Sequence, residues 1–315
     1  MKALRQLLPL LIAMAALLLL FGTLVRNFLH PENMLDLVQQ ISVNAILAFG
    51  MTLVILIGGI DLSVGALLAV VGTTTVWVLT RNPGAMPHAL WLSLAVLAGL
   101  GVAAALGVFN GLCAARTRMP PFIITLGTML VARGAALRFN EGRPMHIPDY
   151  EQTFLALGNG RLFGVLPVPV VVMLIVFVMA AILLHRTRFG QHLYAIGGNR
   201  EAARFTGIPL VRNEVLVYVL CSALAGIAGM IHASQLYSAE PASGVMFELN
   251  AIAAAVVGGT SFTGGRGTMY GTLIGAIIIG ILDKGLNQAG VHFSSQYIIK
   301  GLVILAAVYL DVRRR

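Results

Sequence analysis

Two glycines in the second half of the chain have the spacing of a phosphate-binding loop. Gly259 and Gly264 are placed as in the pattern GxxxxGK[ST], in which backbone amides, a lysine and a hydroxyl group hold phosphate and Mg²⁺. Gly265 and Arg266 stand where the lysine and the hydroxyl residue are required, and no strand is indicated before the loop. The segment lacks the groups that clamp a nucleotide, so we do not expect this chain to hydrolyse ATP.

Other patterns that carry chemistry are missing as well. The sequence has no HExxH, no CxxC and no GxSxG. Cys113 and Cys221 lie in apolar stretches, which favours small packed side chains over a disulfide or a metal pair. None of the seven histidines is paired with another at ligand spacing (His30, His88, His146, His185, His192, His232 and His292). We therefore predict no catalytic residue, no metal site and no cofactor, which argues against an intramembrane enzyme.

Ionisable side chains inside the later apolar segments are few. Asp283, Lys284 and Lys300 are the candidates for a proton relay. Asp283 and Lys284 are neighbours in sequence, so on a helix they point about 100° apart. We expect them to pair with other residues or to reach the membrane surface rather than to pass protons. No self-contained energy source is visible within the chain.

The composition indicates the kind of scaffold that holds these residues. Of the 315 residues, 58% are hydrophobic and only 10% are charged, whereas soluble domains carry roughly 25% charged residues. Such a chain is suited to lipid, where helices need no polar coat. Its net charge of +9 comes from Lys and Arg between apolar runs, which fits the positive-inside rule better than nucleic-acid binding.

Apolar segments of membrane-spanning length predict an all-α polytopic transmembrane helix bundle in one domain, residues 1–315, with about ten spans and a range of eight to ten. The predicted segments are 7–25, 41–57, 62–80, 89–115, 121–139, 167–185, 213–233, 249–263, 269–288 and 296–312. With the N-terminus inside, thirteen Lys and Arg fall inside and six outside. This bias predicts that both termini lie in the cytoplasm.

Paired glycines predict breaks in two of these helices. The first pair is Gly58-Gly59, followed by Asp61 and Ser63; the second break holds Gly258-Gly259 and Gly264-Gly265. For Asp61 two roles stay open: an N-cap of the next helix, or a part in gating or in contact with an ATPase. Asn-Ala-Ile precedes both Gly58 and Gly264 by fourteen residues, which gives weak support for a duplicated plan.

The longest predicted cytoplasmic loop, residues 186–212, contains a helix signal. After a turn at Gly197-Gly198, Asn199 is placed to cap a short helix over about 200–206, which Gly207 and Pro209 end. Ala202 and Phe205 would share one face of that helix. Two interpretations remain: an ordinary amphipathic connector, or a rigid element that docks into a cytoplasmic partner.

Several strings in the sequence resemble the ribose-type permeases of bacterial ABC importers, in the branched-chain amino acid/ribose permease family. They include GIDLSVG at 59–65, AIGGN at 195–199, EAAR at 201–204 and GGTS at 258–261. The likeness covers nearly the whole chain. Asn250 departs from the common pattern, in which an Asp would follow Glu248-Leu249; this puts in doubt a shared polar role at that position.

The resemblance implies a multi-pass permease of the bacterial inner membrane that imports a small sugar, ribose or another monosaccharide. Its partners would be a second permease copy, a cytoplasmic ATP-binding subunit and a periplasmic sugar-binding protein. The ATPase-coupling residues would be Asn199, Glu201, Ala202, Ala203, Arg204 and Gly207. We expect Asn44, Thr52, Phe122 and Asn250 to line the translocation path. The alternative is an ion-coupled secondary carrier of sugars or polyols.

Overall fold

A computed structural model describes residues 2–82 and 86–313, and its fold is all-α, with 76% of the chain helical. The outer limits of the predicted domain, 1 and 315, and the basic Arg314 lie outside the described residues. The α-helices of the described part are α1 Lys2–Leu24, α2 Pro31–Leu56, α3 Val64–Leu79, α4 His88–Arg116, α5 Pro121–Arg138, α6 Gln152–Asn159, α7 Val168–Arg186, α8 Arg188–Gly198, α9 Arg200–Phe205, α10 Leu210–Gln235, α11 Phe247–Val257, α12 Met269–Gln288 and α13 Phe293–Arg313.

Short strands tie the loops at one end of the bundle. Strand β1, Met145–His146, pairs antiparallel with β4, Ser238–Ala239. Strands β2, Arg161–Leu162, and β3, Leu166–Pro167, form a small hairpin. A 3₁₀ helix follows α5 at Phe139–Gly142.

Within the described residues, seven helices are long and apolar enough to cross a membrane by length and composition: α1, α2, α4, α5, α7, α10 and α12. The shorter apolar helices α3, α11 and α13 lie among them. Each of the ten predicted segments overlaps one of these ten helices. Helix α2 begins at Pro31, ten residues before the predicted start, because a proline at the first helical position is a favourable start. The chain is therefore an all-α, polytopic membrane protein.

Helix α10 packs against α2, α3 and α4. Its inward residues Tyr218 and Cys221 are almost fully buried. Both cysteines are free, with Cys113 half-buried. The expectation that these thiols pack as small side chains agrees with their positions.

The ionisable residues of the late helices pair with neighbours. Asp283 Oδ1 lies 2.9 Å from Lys300 Nζ, which joins α12 to α13. Lys284 Nζ donates to the carbonyl oxygen of Asn33 at 2.9 Å, which joins α12 to the first turn of α2. The prediction that Asp283 and Lys284 pair with other residues is confirmed.

Candidate functional site

The first break, residues 57–63 between α2 and α3, begins with a glycine C-cap. Gly58 has a φ of +80°, in the left-handed region that glycine enters without steric cost. Its amide donates to the carbonyl oxygen of Ile55 at 2.9 Å, and the amide of Gly59 donates to that of Val54 at 3.0 Å. These two bonds form a Schellman motif, which satisfies the last carbonyls of α2 and turns the chain off the helix axis.

The second break, residues 258–268 between α11 and α12, begins with the same motif. Gly259 has a φ of +92°, and its amide donates to Val256 at 2.8 Å, while the amide of Thr260 donates to Ala255 at 2.9 Å. Gly258 is the C-cap residue before it. Both predicted helix breaks are present at their glycine pairs.

The structure and the sequence repeat match different glycines of the two breaks. The matching caps pair Gly58 with Gly259, whereas the Asn-Ala-Ile repeat pairs Gly58 with Gly264. Gly264 lies further along the second break, where it begins no Schellman motif. The fourteen-residue match therefore does not align equivalent backbone positions.

The two breaks touch each other through backbone atoms. The amide of Gly265 donates to the carbonyl oxygen of Leu56, the last residue of α2, at 2.9 Å. A β-carbon on Gly264 would lie 2.9 Å from that oxygen and 3.0 Å from the amide nitrogen of Gly58. Side chains do not pack this closely, so glycine is required for the approach.

Helix α8 closes the contact between the breaks. A β-carbon on Gly197 would overlap the carbonyl oxygen of Leu56 and the amide nitrogen of Gly265. The hydroxyl group of Tyr194 donates to the carbonyl oxygen of Gly267 at 2.7 Å. We name this meeting point of residues 56–59, 194–197 and 264–267 the junction. It joins α2, α8 and the start of α12.

The predicted turn at Gly197-Gly198 is wrong, since both glycines belong to the last turn of α8. Only Asn199 separates α8 from α9, and it serves both helices. Its amide bonds to the carbonyl of Ala195 at 3.0 Å, while its side chain accepts the amide of Ala202 at 2.9 Å. The chain changes direction at one residue because this asparagine ends one helix and caps the next.

Helix α9 has the cap residues that the sequence predicts at each end. At its C-terminus Gly207, with a φ of +79°, donates to Arg204 at 3.1 Å, and Ile208 donates to Ala203 at 3.2 Å. Ala203 is the buried residue of α9. The side chains of Glu201, Ala202, Arg204 and Phe205 are exposed, and Phe205 is 86% exposed. Ala202 and Phe205 thus present an outward surface on a helix fastened at both ends.

An ion pair fastens α9 to α10. The two terminal guanidinium nitrogens of Arg200, Nη1 and Nη2, donate to the two carboxylate oxygens of Glu214, which lies in the second turn of α10. The Glu214 side chain is 3% exposed and that of Arg200 is 47% exposed. A bidentate pair of this kind fixes direction as well as distance. Movement of α9 is therefore coupled to α10 and, through it, to α2, α3 and α4.

Asp61 lies at the inner end of a buried polar chain. Its Oδ1 atom accepts the amide of Ser63 at 2.9 Å and the Ser63 hydroxyl at 2.5 Å. The amide of Asn110 in α4 donates to Ser63 Oγ at 3.2 Å, and Thr128 in α5 donates to Asn110 Oδ1 at 2.6 Å. All four residues are buried. The chain of bonds attaches the first break to α4 and α5.

This geometry agrees with the capping role predicted for Asp61. Ser63 directly precedes α3, has helical φ and ψ of −81° and −14°, and makes no side-chain cap bond, whereas Asp61 accepts the Ser63 amide at the entry to the helix. The Asp61 side chain is 0% exposed, so it has no surface to offer an ATPase. The gating role stays a prediction: Asp61 would act by holding the first break in position against α4 and α5.

The four predicted path residues separate into two groups. Asn44 and Asn250, on α2 and α11, line one cavity of about 110 Å³. The Thr52 hydroxyl is buried and lies 2.7 Å from the hydroxyl of Thr272 on α12. Phe122 lies in the first turn of α5, is 47% exposed, and is not part of the cavity lining. Asn44 and Thr52 therefore lie on α2 and Asn250 lies on α11, two helices that both pack against α12, and Phe122 lies apart.

Sequence reasoning missed several residues of the site. Gly197 lies inside the string AIGGN and Tyr194 directly precedes it, but the contacts of both residues lie more than sixty residues away in sequence. Glu214 carried a usable signal, because an acid at the start of an apolar helix near Arg200 calls for a partner. Among residues 2–82 and 86–313, no group of three or more His, Cys, Asp or Glu is placed to hold a metal ion.

We expect Tyr194→Phe to weaken the junction by about 1 kcal/mol, the usual net contribution of one hydrogen bond. Burial raises the pKa of the Tyr194 phenol from 10.0 to about 12, so the bond is complete below pH 10 and is lost as the pH rises towards 12. Thermal unfolding of the purified protein should show a lower midpoint for the variant at pH 7 and a smaller loss between pH 10 and 12. Tyr150→Phe, at an exposed tyrosine, is the control; equal effects of the two changes would contradict a role for the Tyr194 bond.

Comparison with known proteins identifies the family. The protein-family model described as "branched-chain amino acid transport system / permease component" matches residues 33–308, which is most of the chain. The chain belongs to this permease family. The resemblance noted in the sequence is thereby confirmed. No solved structure matches the chain.

Several relatives are similar to this chain along almost the whole length of both proteins. The ribose import permease protein RbsC of Escherichia coli K12 is 45% identical over 307 residues, 97% of this chain and 93% of the relative. RbsC of Bacillus subtilis 168 is 43% identical over 298 residues, 95% and 90% of the two chains. The L-arabinose transport system permease protein AraH of E. coli K12 is 35% identical over 301 residues, 96% and 89%. As a member of this permease family, the chain is a transport subunit and not an enzyme.

Proposed function

We propose that this chain is the membrane-spanning subunit of an ATP-driven importer for a small sugar, with ribose as the first candidate. The main support is similarity at 45% and 43% identity to permeases named for ribose import, over nearly full length. Similarity to permeases named for allose and arabinose is lower, at 36% and 35%. The sequence carries no complete phosphate-binding loop, so ATP hydrolysis is assigned to a separate subunit.

The proposed topology has ten spans in one domain, residues 1–315, in a bacterial inner membrane. The seven long apolar helices supply seven spans, and α3, α11 and α13 supply the others at reduced length. Both termini, the loop 186–212 and the junction then lie on the cytoplasmic side. The distribution of Lys and Arg supports this orientation.

The proposed partners follow from the two ends of the bundle. On the cytoplasmic side, an ATP-binding subunit would receive α9, with contacts from Asn199, Glu201, Ala202, Ala203, Arg204 and Gly207. Burial of Ala203 limits its part to holding the helix in place. On the outer side, a periplasmic sugar-binding protein would meet the loops, including residues 141–150 and 237–247. A second permease copy would complete the pore.

The geometry around α9 suggests how ATP binding moves the spans. A push on α9 acts on α10 through the Arg200–Glu214 pair. It also acts on the junction, because α8 and α9 are joined at Asn199 and Gly197 of α8 packs directly against the bonded pair Leu56 and Gly265. The glycine caps of the two breaks are the places where the backbone can turn. Displacement of the junction would then change the separation of α2 from α11 and α12.

Replacing Glu201 with Lys is expected to weaken association with the ATP-binding subunit at least about tenfold while leaving membrane insertion intact. Glu201 is exposed and forms no ion pair with the part of the chain that the structure describes, so the effect should come from charge reversal at the interface. Co-purification of the two subunits and ATP-driven uptake are the measurements. Glu32→Lys, the same change at an exposed residue in the first turn of α2, is the control. Normal assembly and uptake with Lys at 201 would remove α9 from the docking surface.

The driving force is tested in vesicles that contain the permease with and without its ATP-binding subunit. We expect ribose uptake only when that subunit and ATP are both present. Uptake driven by an ion gradient alone would instead support a secondary carrier of sugars or polyols.

A further inference from the structure

A cavity of about 110 Å³ lies between α2, α11 and α12, near the middle of α2 and of α12. Its volume is several times the roughly 10–15 Å³ that one water molecule requires. Gln40 and Asn44 line it from α2, Asn250 from α11 and Asp283 from α12, and Ile41 and Ile279 form apolar parts of the wall. The cavity therefore combines carboxamide groups with aliphatic surface.

The polar groups of the cavity suit a neutral ligand. The Oδ1 atom of Asn44 is buried and has no hydrogen-bond partner among the described residues, so it is free to accept a bond from a ligand. The carboxylate of Asp283 is paired with Lys300 at 2.9 Å, which balances its charge. Carboxamides both donate and accept hydrogen bonds, as sugar hydroxyls do. Neither an anion nor a cation would find an unbalanced charge here.

The cavity is separated from the junction by a pair of hydroxyl groups. Along α2, Thr52 lies between Asn44 and the last residue, Leu56; along α12, Thr272 lies between the second break and the cavity. The two hydroxyl oxygens are 2.7 Å apart, and both residues are 0% exposed. Parting of α2 and α12 at this level would open the cavity towards the junction.

We propose that this cavity is a transit site for a neutral monosaccharide, held by Asn44, Asn250 and Gln40, and that the Thr52–Thr272 pair closes its junction side. The assignment rests on the proposed sugar-import function. The helices that form the cavity are those whose ends meet at the junction, since the amide of Gly265 is bonded to Leu56. A displacement of α8 at the junction is therefore transmitted to the cavity walls.

The test uses the complete importer in phospholipid vesicles: permease, ATP-binding subunit and binding protein loaded with radiolabelled ribose. Ribose moved and ATP hydrolysed are measured together. Asn44→Leu and Asn250→Leu are each expected to lower the ribose moved per ATP about fivefold, the effect of losing one hydrogen bond. Assembly and ribose-stimulated ATP hydrolysis should be unchanged. Ser42→Ala is the matched control, because Ser42 is buried on α2 and bonds only to the carbonyl of Val38.

The outcomes separate this inference from the function it rests on. Unchanged ribose per ATP in the Asn44→Leu and Asn250→Leu double variant, with the complex assembled, overturns the transit site and leaves the importer function standing. Failure of the unaltered complex to move ribose, arabinose or allose with ATP overturns both. If the leucine variants do not assemble, Asn250→Ala removes the carboxamide without added bulk. A lower amount of ribose moved per ATP in this variant supports the transit site, and an unchanged amount overturns it.

Discussion

Replacing Gly197 with Ala is expected to lower ATP-driven uptake by about tenfold or more and to lower the stability of the purified permease. The added β-carbon would overlap the carbonyl oxygen of Leu56 and the amide nitrogen of Gly265. These are backbone atoms, so relief requires α8 to move away from the junction. Overpacking of this kind costs about 1–3 kcal/mol, and 1.4 kcal/mol corresponds to tenfold in an equilibrium. Alanine is the better helix former, so helix propensity would act in the opposite direction.

Gly198→Ala is the matched control, because it is the adjacent residue of the same helix. A β-carbon on Gly198 has no atom within 4 Å, and the variant should keep normal uptake and equal or slightly greater stability. Thermal unfolding and vesicle uptake are measured on both variants. Equal behaviour of the two would show that α8 does not depend on the close approach to the junction.

Removal of the Arg200 side chain by Arg200→Ala has the second large expected effect. It leaves the buried carboxylate of Glu214 without its partner. A hydrogen bond to a charged group contributes about 1.5–3 kcal/mol, and the half-exposed position of Arg200 favours the lower end of that range. The fold should therefore lose about 1.5 kcal/mol of stability, and α9 should lose its attachment to α10. We expect ATP hydrolysis to continue in the assembled complex while uptake falls.

The control for this prediction is Arg204→Ala, at an exposed arginine of the same short helix, which should leave the stability of the permease unchanged. Adding Glu214→Leu to Arg200→Ala removes the unpaired carboxylate as well. This double variant should recover much of the lost stability, because replacing both partners with apolar groups is nearly neutral. A double-mutant cycle measures the coupling; additive losses would contradict a pair that acts as one unit.

Local signals in the sequence were sufficient for the helices and their caps. The bounds of α9 follow from Asn199 and Gly207, whose effects reach only three or four residues along the chain. Gly58 and Gly259 likewise mark the ends of α2 and α11, because few other residues enter the left-handed region. The capping role of Asp61 could be predicted in the same way, since its carboxylate accepts the amide of Ser63, only two residues along the chain.

Contacts between distant segments were outside the reach of such signals. Nothing near Gly197 indicates that it packs against the backbone of Leu56 and Gly265, since all the atoms involved are backbone atoms that every residue has. The turn predicted at Gly197-Gly198 was wrong for the same reason: glycine serves close packing here and not chain reversal. The path residues show the same limit, because Asn44 and Asn250 share a cavity while Phe122, equally plausible by position, does not.

The fastening of α9 has a consequence for how the protein changes over time. Asn199, Arg200, Ala203 and Gly207 hold the helix in place, whereas Glu201, Ala202, Arg204 and Phe205 face outward. In the proposed complex, selection for a stable permease and selection for partner recognition would thus act on different residues of one six-residue helix. The outward surface could then diverge together with the proposed ATP-binding subunit, while the attachment of α9 to the bundle is retained. In a cell with several related importers, substitutions confined to this surface would be enough to keep their subunits from being exchanged.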